Sequence, residues 1–449
     1  MKRHWFVEKI AAYGNITAIV DSDRTFSYSE LVQEVDNIRA FLDSHNVSQS
    51  EVTAIVGDYA FRSIAAFLAL MENRNILVPV TSTVEHEIEE KLNESYADKA
   101  IYFRKSELEL NAFEFRAKHS LIQSLQHKQS AGLILFSSGS TGKPKALVEN
   151  LDEIVEHYRR GHAGFRTLVF LMFDHIGGVN TLFHILTSAG TAVLTHTREP
   201  DHVCRLIETW QVQALPTSPT FLNLLLLSET YKNYNLESLK LITYGTESMP
   251  AALLKRLKEV FPKTRLKQTF GTTETGILST KSKADDSLFM KIGGRGFEHK
   301  IVDGQLYIKS KTAMLGYLNA ANPFTEDGWF PTGDLVEEDR DGYIRIIGRI
   351  KEVINVGGAK VLPSEVETVV HEIPFVKDVM AYGESNAITG QSVAVDVVVE
   401  GKDDAMEIKN EIRSFCRSRL DRFKVPVRIN IVNEINFGNR FKRVRKNVR

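Results

Sequence analysis

The sequence predicts a multi-domain α/β protein: a large N-terminal domain of layered α/β sheets with a β-rich portion, and a small α+β C-terminal domain on a hinge. Three observations lead there. A chain of 449 residues is too long for one compact core. Up to about residue 295, short β-branched runs alternate with amphipathic stretches, the pattern of a largely parallel sheet covered by helices. Beyond that point the texture changes to short strands joined by glycine turns, and a last unit of about one hundred residues mixes both kinds.

Taken in order, Ser27-x-x-Glu30 is a capping box, and Leu31, Val35, Ile38 and Leu42 then recur at helical spacing. A second apolar helix is predicted near 63–71 and a strand at 76–80. Further strands are predicted at 133–136, 167–173, 191–195 and 239–244, followed by an amphipathic helix at 251–261. Asp303-Gly304 and Asp341-Gly342 are hairpin turn pairs. The last unit carries a predicted helix at 364–371, a strand at 393–399 and a helix at 404–420. No low-complexity linker precedes it, so the boundary is predicted at a tight hinge near 349–352. The expected domains are 1–349, with its β-rich portion at about 295–349, and 350–449.

Composition narrows the function classes. The chain is 43% hydrophobic and 25% charged, as ordinary soluble proteins are, and its net charge of -1 gives no general attraction to nucleic acid or an anionic membrane. Its two cysteines, Cys204 and Cys416, lie far apart and outside any C-x-x-C spacing. That excludes a disulfide scaffold and a cysteine-rich zinc site, and suits a reducing compartment. Glu8 and Lys9 interrupt the first apolar run before a signal-peptide core forms. The greasy stretch at 221–227 is far below the roughly 18 residues that span a bilayer. The expectation is a cytoplasmic enzyme with no transmembrane segment and no nucleic-acid partner.

The stretch SSGSTGKPK at 137–145 suits a phosphate. Ser137, Ser138, Ser140 and Thr141 bring hydroxyls, Gly139 and Gly142 let backbone N–H groups turn toward an anion, and Lys143 and Lys145 bring charge. It is not a Walker loop. Gly142-Lys143 is followed by Pro144, which has neither an N–H nor a hydroxyl, and Ser137 stands where that motif begins with glycine. A solvated turn after a strand has a similar composition, so the loop by itself leaves both readings open.

Further segments follow: YGTESMP at 244–250, TFGTTETG at 269–276, Gly316-Tyr317, GWFPTGDL at 328–335 and GRIKEVINVGGAKVLPSEVE at 348–367. Together with the 137–145 loop and the early TFSYSEL, they resemble in order the adenylate-forming (AMP-binding) superfamily, over nearly the whole chain. That superfamily holds acyl- and aryl-CoA synthetases, the adenylation domains of nonribosomal peptide synthetases, and luciferases. The resemblance implies a ligase dependent on ATP and Mg²⁺ that converts a small carboxylic acid to an acyl-adenylate. The acyl group would then pass to coenzyme A or, alternatively, to the phosphopantetheine arm of a separate carrier protein.

The resemblance also implies roles. Thr273 would donate to the α-phosphate, and Glu274 would hold Mg²⁺, a hard cation that takes oxygen ligands. Phe270, where the family usually has tyrosine, would offer adenine an aromatic face, with Gly245 and Glu247 lining the same site. Asp334 would accept from both ribose hydroxyls, a task for a carboxylate with two oxygens, and Arg349 would contact the same sugar. The ending INFGNRFKRVR at 435–445 partly matches the family's last motif and makes Lys442 the catalytic lysine, with Asn436 and Phe441 replacing a proline and a glycine. A basic, solvated tail is the other reading of those residues. Lys351 falls at the hinge. Gly357 and Gly358 fall at the turn that approaches the thiol, and Asn355 replaces a lysine found in many relatives.

His175-x-x-Gly178 fits the pattern of acyl- and aryl-CoA synthetases and would set His175 beside the thiol channel, although a core or capping histidine looks the same. Asp174 raises the idea of an α-amino acid substrate, which the spacing argues against. Phe173, Val179, Phe183 and Tyr244 are expected around an apolar pocket for a small aromatic or short acyl acid. The rival from another class is a degenerate nucleotide binder, motivated by Phe441 and Asn355.

Overall fold

The computed structural model describes residues 3–104, 107–114, 117–137, 143–161, 163–438, 441–443 and 445. The capping box forms: Ser27 and Glu30 exchange bonds at the start of the helix Tyr28–Ser44, and Leu31, Val35, Ile38 and Leu42 face the core. The apolar helix Phe61–Glu72 packs against it, buried on nearly every side because two sheets flank it.

The described residues build three seven-stranded sheets and one five-stranded sheet. In the first, Arg265–Gln268, Leu241–Tyr244, Ala214–Thr217, Arg166–Val169, Thr191–Leu194 and Thr17–Asp21 run parallel in that order, and Arg24–Ser27 closes it as an antiparallel edge. The second centres on Val52–Val56, Ile76–Val80 and Gly132–Ser137, which are parallel, and becomes antiparallel at Lys145–Asn150. Its central strand, ILVPV, is buried at every position, as a strand covered on both faces must be.

The third sheet is antiparallel and includes the hairpin Phe297–Val302 to Gln305–Ser310, turned by Asp303 and Gly304 at φ +51° and +76°. It starts earlier than the change of texture near 295 suggests, with the strands Phe270–Thr272 and Gly276–Ser282. Their connection is built from threonines and a glutamate, with a single glycine, Gly276, at its end in place of the usual glycine and proline cluster.

One predicted strand is shorter than expected. Over 167–173 only Arg166–Val169 pairs, and the chain then leaves the sheet to begin the helix Ile176–Thr187. Gly178 lies so close to this bend that a Cβ would meet the Met172 carbonyl oxygen at 2.1 Å.

A 3₁₀ turn, Ile350–Glu352, leads from the third sheet into the smaller C-terminal unit. There Ala359–Val361, Ile354–Val356, Gly390–Val399 and Val376–Asn386 form an antiparallel sheet, and Arg428–Ile431 adds a parallel strand to Gly390–Val399. The helices Pro363–Val370 and Ala405–Arg417 close its core around Val366, Val379, Val395 and Ile412. Each unit buries one free cysteine in its own apolar cluster, and burial pushes both the Cys204 and Cys416 thiols up to about 11. Among the described residues, no helix is long and apolar enough to cross a membrane.

Candidate active site

TFGTTETG folds as a hairpin. Phe270–Thr272 pairs with Gly276–Ser282, so Thr273, Glu274 and Thr275 form its tip. Thr272 Oγ1 braces that tip from below, accepting from Thr275 N–H at 3.2 Å. Gly276 takes φ +79°, which lets the chain reverse there. The Glu274 carbonyl accepts from Met314 N–H at 2.9 Å, and the strand Gly316–Tyr317 that follows pairs with Val148 and Leu147. The hairpin tip is thereby laced to the strand that begins at Lys145. Tyr317 completes the lacing: its hydroxyl donates to Glu274 Oε1 at 2.8 Å, and the Lys145 ammonium lies 5.1 Å from its ring centre. Ser137, at the end of the neighbouring strand, also bonds the Tyr317 hydroxyl.

Of the phosphate-loop residues, Ser137, Lys143 and Lys145 are described, and Lys143 is exposed; Ser138, Gly139, Ser140, Thr141 and Gly142 lie outside the described residues.

Asp334 and Arg349 are directly opposed across two antiparallel strands, Phe330–Glu338 and Ile344–Arg349. The Arg349 Nε donates to Asp334 Oδ1 at 2.9 Å, and the aspartate is only 3% exposed. Burial raises the Asp334 pKa, while Arg349, Thr332 and Lys442 oppose the rise. Lys442 is therefore close enough to feel this carboxylate, although it comes from the far end of the chain.

Lys442 lines a small cavity with His175, Arg198, Thr246, Phe170 and Phe441. It sits in a tight turn in which Phe441 N–H donates to the Gly438 carbonyl at 2.8 Å and Gly438 N–H to the Lys442 carbonyl at 2.9 Å. Phe441 takes φ +50°, the left-handed region that glycine adopts without cost. The aromatic ring holds this conformation by touching Phe170, Phe221 and Phe437, with centroids 5.5, 5.9 and 5.3 Å away.

Among the described residues of the tail, Arg443 and Arg445 are not a solvated fringe. Arg443 donates to Asp378 and Val379, and Arg445 pairs with the buried Glu367.

The family profile for AMP-binding enzymes matches residues 6–318, and the profile for the AMP-binding enzyme C-terminal domain matches 365–437. The chain belongs to this family. The chemistry that accompanies membership is that of an adenylate-forming ligase. Among AMP-binding enzymes, the chain is 29% identical to indoleacetate–CoA ligase of Aromatoleum aromaticum, over 68% of this chain and 64% of that enzyme. It is 25% identical to 2-succinylbenzoate–CoA ligase of Staphylococcus epidermidis over 99% of this chain and 97% of that one. In fold it is similar to an anthranilate CoA ligase in complex with anthranoyl-AMP, with a TM-score of 0.82, 19% identity and coverage of 98% and 96%.

Other residues marked by the family motifs occupy varied settings. His175 caps the helix Ile176–Thr187, its Nδ1 accepting from Gly177 N–H at 3.0 Å, and it also lines the Lys442 cavity. Of the descriptions offered by the sequence, the capping histidine is the one seen here. Phe270 is buried in the core of the antiparallel sheet with Leu278 and Met290. Gly245 packs against Thr269, where a Cβ would come within 2.4 Å of its hydroxyl. Glu247 gives one carboxylate oxygen to Thr220 N–H and the other to Arg443 N–H, at 2.7 and 3.2 Å.

Gly357 and Gly358 form an exposed turn at φ +58° and +90°, bonded to Thr389 and to the Asn355 side chain within the C-terminal sheet. Lys351 is exposed in the 3₁₀ turn.

Phe173, Val179 and Phe183 differ from expectation: all three are fully buried, Phe173 against Tyr59 and Phe67, Phe183 against Phe6 and Tyr158. They are core aromatics and aliphatics, which apolar periodicity cannot separate from pocket walls. Tyr317 and Arg198 were missed. The first had a signal in Gly316-Tyr317, while an isolated arginine before a helix gave none.

Proposed function

We propose that this protein is an ATP-dependent carboxylic acid:thiol ligase that activates a small aromatic or short acyl acid and transfers it to coenzyme A. The observation that carries the reading is the meeting of Lys442, from the tail, with His175 and the Asp334–Arg349 pair of the large unit. A cation in that place can hold an attacking carboxylate and a phosphate oxygen together as charge shifts between them. Asp334 and Arg349 would hold the ribose, and Lys145 with the hairpin tip at Thr273 would meet the phosphates.

Glu274 fits a magnesium ion that arrives with the nucleotide. Tyr317 fixes its carboxylate, and phosphate oxygens and water would supply the other ligands. Such an ion would neutralise the charge that grows as pyrophosphate departs.

Two observations bear on the acid and the thiol. Asp174 is buried and pairs with Lys91 at 3.3 Å, so its charge already serves the protein's own cation, which favours a carboxylic acid without an α-ammonium. The Gly357-Gly358 turn is exposed, open to a thiol that would attack after the C-terminal unit turns. The two sequence relatives above are CoA ligases by name, which supports coenzyme A over a carrier protein.

The test is acid-dependent exchange of labelled pyrophosphate into ATP across aryl, short acyl and amino acids, followed by coenzyme A addition. Exchange with an aryl or acyl acid and a thioester product is the expected result. ATP binding without exchange for any acid would instead identify a nucleotide binder.

A further inference from the structure

We propose that Glu247 is a latch that seats Lys442, a positioning residue for the lysine rather than a contact to the nucleotide base. The inference rests on the reading of Lys442 given above. It starts from how the turn carrying the lysine is fastened. On one side, Phe441 sets its ring edge-on against the touching pair Phe170 and Phe221 of the large unit. On the other, Arg443 is divided between the two units. Its guanidinium reaches back to Asp378 Oδ1 at 2.7 Å and the Val379 carbonyl at 2.8 Å, both in the C-terminal sheet. Its main-chain N–H points the other way and donates to Glu247 Oε2 at 3.2 Å.

The glutamate is itself anchored. Its Oε1 accepts from Thr220 N–H at 2.7 Å, in the first turn of the helix Pro219–Ser228. A negative charge there satisfies an otherwise orphan helix donor and is favoured by the helix dipole. One turn along, Asn223 donates to Asp378 Oδ2 at 2.9 Å, so the same helix grips the C-terminal unit at two points. Lys442 is bracketed between an aromatic plug and a charge-assisted bond. Both contacts cross between the units, so both must part whenever the C-terminal unit turns away.

Two variants and one direct readout test it. Glu247→Gln loses the charge and one acceptor, while Glu247→Asp keeps the charge but is one methylene too short to span both amides. Each should slow acid-dependent pyrophosphate exchange by about tenfold or more, the scale of one bond to a charged group, with ATP affinity unchanged. The Arg443 amide should be protected from hydrogen exchange in the nucleotide-free wild type and should lose that protection in both variants. ATP affinity falling in step with exchange would return Glu247 to the base site and overturn the proposal. So would Arg443 protection that survives both substitutions. Lys442→Ala is run in parallel. If it leaves exchange intact, the lysine's role fails, while the Arg443 amide still reports independently whether Glu247 holds the turn.

Discussion

The Tyr317 hydroxyl donates to Glu274 Oε1 at 2.8 Å beneath the Lys145 ammonium, so three motifs far apart in the chain meet at one phenol ring. Tyr317→Phe removes a hydrogen bond to a charged acceptor, worth roughly 1.5–3 kcal/mol. Pyrophosphate exchange should fall by about ten- to a hundredfold, with half-saturation by Mg²⁺ moved to higher concentration. A magnesium titration of the variant checks this, and an unshifted curve would detach Tyr317 from the metal site.

Asp334 is nearly inaccessible and faces Arg349 from the adjacent strand. Asp334→Asn keeps the shape but removes the charge that pairs with Arg349 and leaves one acceptor oxygen, not two, for the ribose hydroxyls. AMP and ATP binding, measured by calorimetry, should weaken by about tenfold or more. Equal affinity for the wild type and the variant would remove Asp334 from the sugar.

Phe441 combines an unfavourable backbone with favourable packing, and two substitutions separate the terms. Phe441→Ala keeps the left-handed strain and loses the ring contacts. Phe441→Gly loses the same contacts but releases the strain, a difference of about 1 kcal/mol. Limited proteolysis of the tail should therefore be faster for Ala than for Gly, and faster for both than for the wild type. The reverse order between Ala and Gly would contradict the left-handed assignment.

Glu149 is 1% exposed on the strand Lys145–Asn150, and neither of its oxygens has a hydrogen-bond partner among the described residues. Burial, reinforced by the charge of Glu274, raises its pKa well above the ordinary value of 4.5. The folded state therefore keeps a proton that the unfolded state has released, and stability must fall as pH climbs above that ordinary value. Glu149→Gln is neutral at every pH and should flatten this dependence, its melting temperature gaining on the wild type between pH 5 and 8. Each kcal/mol recovered corresponds to about 2 °C in a domain this large. Parallel melting curves over that range would show that Glu149 is ionised in the fold.

How far this was legible depends on the kind of signal. Ser27 with Glu30, Asp303-Gly304 and the alternation of apolar runs are local signals, and they produced the elements they describe. That Asp334 and Arg349 share a neighbourhood was legible through the resemblance, which gives both to one sugar, while the ion pair between them was not. The bond between Tyr317 and Glu274 was not, since it arises from a strand pairing that no local pattern records. Glu247 shows the sharper limit. Its motif marks the neighbourhood, yet the partner of its carboxylate is a main-chain N–H of Arg443, a group every residue except proline carries and no sequence can single out. Phe173 and Phe183 illustrate the same limit from the apolar side, because core and pocket walls share one composition.

The two buried thiols give the molecule a built-in pair of clocks. Cys204 and Cys416 sit in separate cores, one on each side of the 350–352 turn, with thiols too basic to react while covered. A short pulse of an alkylating reagent labels each only when its own unit opens. Counting labels by mass, with and without ATP, would time the loosening of the small unit separately from that of the large one, with no mutation made.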